Sequence, residues 1–197
     1  MNPQVWWYVT RASGIIAWLA LTGSVLWGVI LSTKAFPKHR RPAWLLDLHR
    51  WLGGLTVAFV AIHLVALVAD SYVEFDLLDL VVPFRSEWKP AAVAFGVIAL
   101  WLLIAIELTS LAMKRLPKRV WRGVHLTSYA VFLLTSIHAA MAGTDPSQRL
   151  YQVTAVASIV AVAWATMYRI ANRRSVTRSS SPRDRDRDRD PAPTLGR

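Results

Sequence analysis

The chain has 197 residues, 54% of them hydrophobic, with ten tryptophans, no cysteine and a formal net charge of +11. A mean hydropathy of +0.35, carried by apolar runs longer than a soluble core helix needs, is the composition of an integral membrane protein with a single helical domain. Without cysteine there are no disulfides, iron–sulfur clusters, covalent C-x-x-C-H attachments, cysteine nucleophiles or lipidated cysteines. The positive charge does not signal nucleic acid, because the basic residues fall in the gaps between apolar runs, as the positive-inside rule requires.

The first predicted span covers residues 6–32. It opens on Trp6, Trp7 and Tyr8, an interfacial aromatic belt, and carries Arg11. No basic n-region or small-residue cleavage site precedes it, so an uncleaved span is expected rather than a signal peptide. The connection that follows is basic (Lys34, Lys38, Arg40, Arg41) and holds His39, expected to be solvated. Span two, 44–69, contains His49, Arg50, Gly53, Gly54 and His63. The next connection is acidic, with Asp70, Glu74, Asp76, Asp79 and Glu87 against Arg85 and Lys89. Its FDLLDLVVPF stretch is too short to cross but amphipathic enough to lie on the membrane surface, ending near Pro83.

Span three, 90–113, carries Glu107, for which pairing with a nearby cation such as Lys114 is expected, with a proton relay as the alternative. A basic connection (Lys114, Arg115, Lys118, Arg119, Arg122) leads into span four, 121–142, with Trp121, His125 and His138. Asp145 and Arg149 separate it from span five, 150–171. From Arg173 onward the chain is Ser/Arg-rich, then RDRDRDRD, then Pro-rich. Such a mixed-charge, apolar-poor segment cannot bury a core and is expected to be disordered. The domain reading is thus a membrane domain over 1–172 and a tail over 173–197. With five spans, all basic connections share one side if the N-terminus is outside and the C-terminus cytoplasmic. The fold class is all-α, a five-helix multi-pass bundle in the plasma membrane.

Four of the five histidines lie inside spans two and four. A histidine within a bilayer is costly without a partner, which makes it a candidate for function. A hydrogen bond to a neighbouring helix would be the ordinary structural alternative. His49 and His63 are fourteen residues apart, His125 and His138 thirteen, so each pair is separated by about 20 Å along its helix, one histidine near each face. Two facing imidazoles at each level suit two stacked bis-histidine hemes. Zinc and copper sites want three or four close ligands, and nothing in the sequence completes such a shell. Fourteen residues return to about the same helix face, whereas thirteen come to about 220°, so either an overwound or kinked turn between His125 and His138, or different approach angles to two separate hemes, must absorb the difference. Gly53 and Gly54 would allow a flat ring to approach or serve helix packing. Arg11, Arg50 and Arg122 are candidate cations for the anionic heme carboxylates, or snorkelling anchors.

The stretches WYVTRASGIIAWLALTGSVLWG, LHRWLGGLTVAFVAIH and RVWRGVHLTSYAVFLLTSIHA resemble the ferric reductase-like transmembrane superfamily, which includes NADPH oxidases, ferric reductases and the heme subunit of the bacterial methionine-sulfoxide reductase system. The resemblance covers about residues 6–142. It implies two heme b groups, one ligated by His49 and His125, the other by His63 and His138. Relatives of the oxidase type continue into FAD- and NADPH-binding domains, whereas no G-x-G-x-x-G or other nucleotide fingerprint occurs here. The resemblance is therefore to the heme-subunit type. It implies an external donor, a separate flavoprotein or membrane quinol, and an extracytoplasmic redox partner. The rival readings are a non-redox transporter or structural subunit, and a heme-binding sensor. A transporter would be expected to show Gly/Pro-broken helix pairs and intramembrane acids, and both are scarce.

Overall fold

The structure, a computed structural model, describes residues 4–33, 42–70, 73, 75–143 and 148–179, with 172–179 described by backbone alone. His39, the first basic connection, Glu74, Asp145 and residues 180–197 of the expected tail lie outside the described residues. Six helices follow in order: α1 (Gln4–Ser32), α2 (Ala43–Ala69), α3 (Pro90–Leu111), α4 (Lys118–Leu126), α5 (Ser128–Ala142) and α6 (Arg149–Ser179). Five segments are long and apolar enough to cross a membrane: 4–32, 43–69, 90–111, 118–142 and 149–171. They match the sequence expectation within a few residues, because hydropathy and length are local properties. The helix of α6 runs on past Arg173 to Ser179.

Local chemistry sets several boundaries. Pro90 occupies the first turn of α3, where its missing N–H has no helical partner, and Pro117 precedes α4. Hydroxyls inside the spans bond back to the preceding turn, as Thr22 Oγ1 to Trp18 O (2.8 Å) and Thr56 Oγ1 to Leu52 O (2.9 Å). In lipid this satisfies the hydroxyl without an outside partner.

The fourth span is two helices, broken at Thr127. There the Thr127 N–H reaches Val124 O at 3.0 Å and its Oγ1 reaches the same carbonyl at 2.7 Å. That three-residue closure winds about 120° per residue instead of 100°, adding about 60° of rotation. It supplies a little under half of the roughly 140° that the thirteen-residue interval lacks for a common face.

The core joins Leu21 and Val25 of α1, Ala99, Leu103 and Ile106 of α3, Val131 and Phe132 of α5, and Val162 of α6. The alanines Ala92, Ala94 and Ala99 are all but fully buried and let α3 approach its neighbours closely. Two indole N–H groups bond across helices: Trp18 Nε1 to Ser136 Oγ (3.0 Å) ties α1 to α5, and Trp27 Nε1 to Leu45 O (2.7 Å) ties α1 to α2. The stretch expected to lie on the surface forms hydrogen-bonded turns, with Val82 N–H on Leu78 O at 2.9 Å. Arg85 holds it to Asp76 and Asp79 at 3.4 and 3.3 Å, and Trp101 Nε1 reaches Val81 O at 2.9 Å.

Candidate functional site

The bundle brings the four intramembrane histidines together in two pairs. His49 on α2 faces His125 on α4, with ring centroids 5.9 Å apart and planes at 72°. His63 on α2 faces His138 on α5 at 6.4 Å and 90°. Among the described residues no group of three or more His, Asp or Glu side chains converges on a common point. Each level of the bundle therefore offers two imidazoles.

Three of the rings are fixed by a common device. His63 Nδ1 sits 2.8 Å from Thr10 O, His49 Nδ1 3.1 Å from Ser24 O, and His138 Nδ1 2.8 Å from Ala92 O. In each case the carbonyl belongs to a neighbouring helix, and the residue four positions further on is glycine: Gly14, Gly28 and Gly96. A Cβ at Gly14 would stand 3.1 Å from His63 Nδ1, at Gly28 3.2 Å from His49 Cε1, and at Gly96 2.9 Å from both His138 Cε1 and Nδ1. Missing side chains thus open a seat in which each ring lies flat against a helix and its Nδ1–H donates to an exposed carbonyl lobe. That bond selects the tautomer and leaves Nε2 as the free acceptor.

Sequence reasoning missed these glycines, yet they carried a signal. Gly14 and Gly28 are fourteen apart, the same interval as His63 and His49 on the antiparallel neighbour.

The fourth ring is seated differently. His125 Nδ1 is buried without a partner among the described residues, and its ring stacks on Trp121 at 5.2 Å and 25°. Fourteen residues beyond Gly96, at the level where a further glycine would belong, α3 carries Ser110, whose Oγ is also buried and unpartnered. The preceding Thr109 bonds its hydroxyl to Ala105 O at 2.7 Å and Ile106 O at 3.1 Å.

The other sequence candidates have these surroundings. Arg50 is exposed and sits 3.4 Å from Asp47. Arg122 is exposed. Arg11 lies over the Trp7 ring at 4.9 Å. Gly54 faces open space, whereas a Cβ on Gly53 would stand 3.2 Å from Glu107 Oε1. Glu107 does not pair with a cation among the described residues, contrary to the sequence expectation. The helix ends at Leu111, short of Lys114, and the carboxyl reaches across to α2 instead.

The family model described as "Ferric reductase like transmembrane component" matches residues 13–136, a stretch holding three of the four histidines and the three glycine seats. The chain belongs to the ferric reductase-like transmembrane family. Among curated proteins and among solved structures, none matches it. Members of this family are membrane proteins whose domains generally bind heme, and membership suggests electron transfer as the role of this chain.

Proposed function

We propose that this protein is a di-heme b electron-transfer subunit of the plasma membrane, with His49 and His125 ligating one heme and His63 and His138 the other. The carrying observation is the separation of the facing rings. A metal–imidazole bond is about 2.0–2.1 Å and the ring centre lies about 1.1 Å behind its nitrogen, so two imidazoles trans on one metal stand about 6.3 Å apart. The observed 5.9 and 6.4 Å bracket that value. With only two protein donors per level, the remaining coordination positions suit a macrocycle rather than a bare ion. The Nδ1 bonds to Thr10, Ser24 and Ala92 supply the outer-shell support expected of ligating imidazoles.

When bound, heme supplies one-electron chemistry. The chain's own residues do the rest. The histidines fix two sites on a common pair of spans, and the carbonyl bonds of His49, His63 and His138 hold those three rings in one tautomer and make Nε2 a stronger donor. The apolar helices around them exclude water. In the reading that places the basic connections in the cytoplasm, the His49–His125 level is cytoplasmic. It takes electrons from a soluble flavoprotein or a membrane quinol and passes them to an extracytoplasmic acceptor. The test is the purified chain's heme-to-protein ratio and reduced-minus-oxidised spectrum. Two low-spin hemes per chain, fully extracted by acid–acetone, are expected. Heme that stays with the polypeptide overturns the non-covalent b-type assignment, and no heme at all overturns the proposal and leaves a non-redox membrane role.

A further inference from the structure

Among the described residues, an arginine near the His49–His125 level has no anionic partner. Arg169 lies near the end of the fifth span on α6 and is only partly exposed. Its Nη1 donates to Tyr129 Oη at 3.1 Å, a bond across forty residues of chain to α5. Tyr129 follows His125 by four residues, just past the break at Thr127. The bond thus ties the guanidinium to the residue one helical turn beyond His125. A simple snorkelling arginine would extend along its own helix to the surface; this one is turned toward a neighbouring helix.

A guanidinium inside a span calls for an anion. Arg169 takes part in no ion pair among the described residues, unlike Arg50 with Asp47 and Arg85 with Asp76 and Asp79. Its hydrogen-bond partner is a neutral phenol. The intramembrane carboxyl, Glu107, is directed at Gly53.

A second observation points the same way. Of the four buried side-chain polar atoms without a partner among the described residues, three belong to this level: Ser110 Oγ, Trp121 Nε1 and His125 Nδ1. All three can donate a hydrogen bond. The level thus gathers a cation and three donors, and its unpaired carboxyl, Glu107, is turned to Gly53 on α2 and bonds to none of them, whereas at the His63–His138 level both rings already have carbonyl acceptors.

We propose that Arg169, held by Tyr129, is the counter-charge of the heme at the His49–His125 level, facing a carboxylate of the macrocycle and favouring its ferrous state. This rests on the di-heme reading above. The sign follows from electrostatics: reduction adds one negative charge to the center, so a nearby cation raises the midpoint potential and its removal lowers it. Arg169 is thus a positioning and potential-setting residue.

The experiment is a redox titration of the full-length, heme-loaded protein followed in the visible spectrum, with Arg169→Gln compared to the parent in both the native and the His63→Ala background. In the native background one of two transitions should move to lower potential by about a tenfold change in the ferrous-to-ferric ratio, about 59 mV for one electron. The other should stay in place. In the His63→Ala background, which keeps the His49–His125 heme, the single transition should show the same shift. Arg169→Lys, retaining the charge, should recover most of it. Unmoved potentials in Arg169→Gln with both hemes bound overturn the proposal, as does a shift confined to the His63–His138 heme. Should Arg169→Gln fail to accumulate, Tyr129→Phe takes its place, with a smaller downward shift expected and an unmoved potential counting against the proposal. A parent protein that binds no heme overturns the di-heme reading itself, a result distinct from all of these.

Discussion

Gly96→Ala puts the seat of His138 under direct test. The added Cβ would stand 2.9 Å from Cε1 and Nδ1 of the ring, where ordinary contact begins at 3.4 Å. The ring, or the helix behind it, must retreat by at least 3.4 − 2.9 = 0.5 Å. Retreat along the bond stretches the 2.8 Å contact to Ala92 O to about 3.3 Å, the edge of hydrogen-bonding range. The bond itself is worth about 1 kcal/mol. Losing the outer-shell partner of a ligating histidine costs about 10- to 100-fold in metal-centre affinity. Gly14→Ala and Gly28→Ala, with shortfalls of 3.4 − 3.1 = 0.3 Å and 3.4 − 3.2 = 0.2 Å, should follow in that order with smaller losses. Gly23→Ala is the internal control. Its Cβ would meet Leu52 at 3.7 Å, an ordinary contact, and replacing a mid-helix glycine gains about 0.5–1 kcal/mol of stability. The assay is heme retained per chain after challenge with excess apomyoglobin, together with thermal stability in detergent. Equal heme retention by Gly96→Ala and Gly23→Ala would refute the seat as a support for the ligand.

Two further outcomes are expected. His63→Ala and His138→Ala should give one and the same spectral loss, and His49→Ala and His125→Ala the other, because each heme needs both imidazoles facing across its level; a match between His49→Ala and His138→Ala would break the assignment. Reversing the exposed charges Lys114, Arg115, Lys118 and Arg119 should slow reduction by an acidic soluble flavoprotein, most at low salt, while reversing Asp76 and Asp79 should leave that step unchanged. Stopped-flow rates that are equal in both variants would favour a quinol arriving through the lipid.

The number and extent of the spans were legible in the sequence because each depends on a continuous apolar run whose length the bilayer sets. The pairing of His49 with His125 and of His63 with His138 followed from matched intervals on two spans and from the family resemblance, and helix rise alone places them at common levels. The thirteen-residue interval announced a disturbed turn, but its place at Thr127 depended on a local closure onto Val124 O that many sequences could make.

Other features were invisible for a different reason. Which helix lies behind each imidazole is a matter of packing, so the role of Gly14, Gly28 and Gly96 emerges only when α1 stands against α2 and α3 against α5. The same holds for Glu107, whose cation partner seemed near along the chain but whose carboxyl points to Gly53 on α2. Arg169 meets Tyr129, forty positions away, only because the fold sets α6 against α5. Periodicity and hydropathy act along one helix, and these contacts form between helices. Sequence determined what each helix could offer; the packing of the bundle decided which offers met.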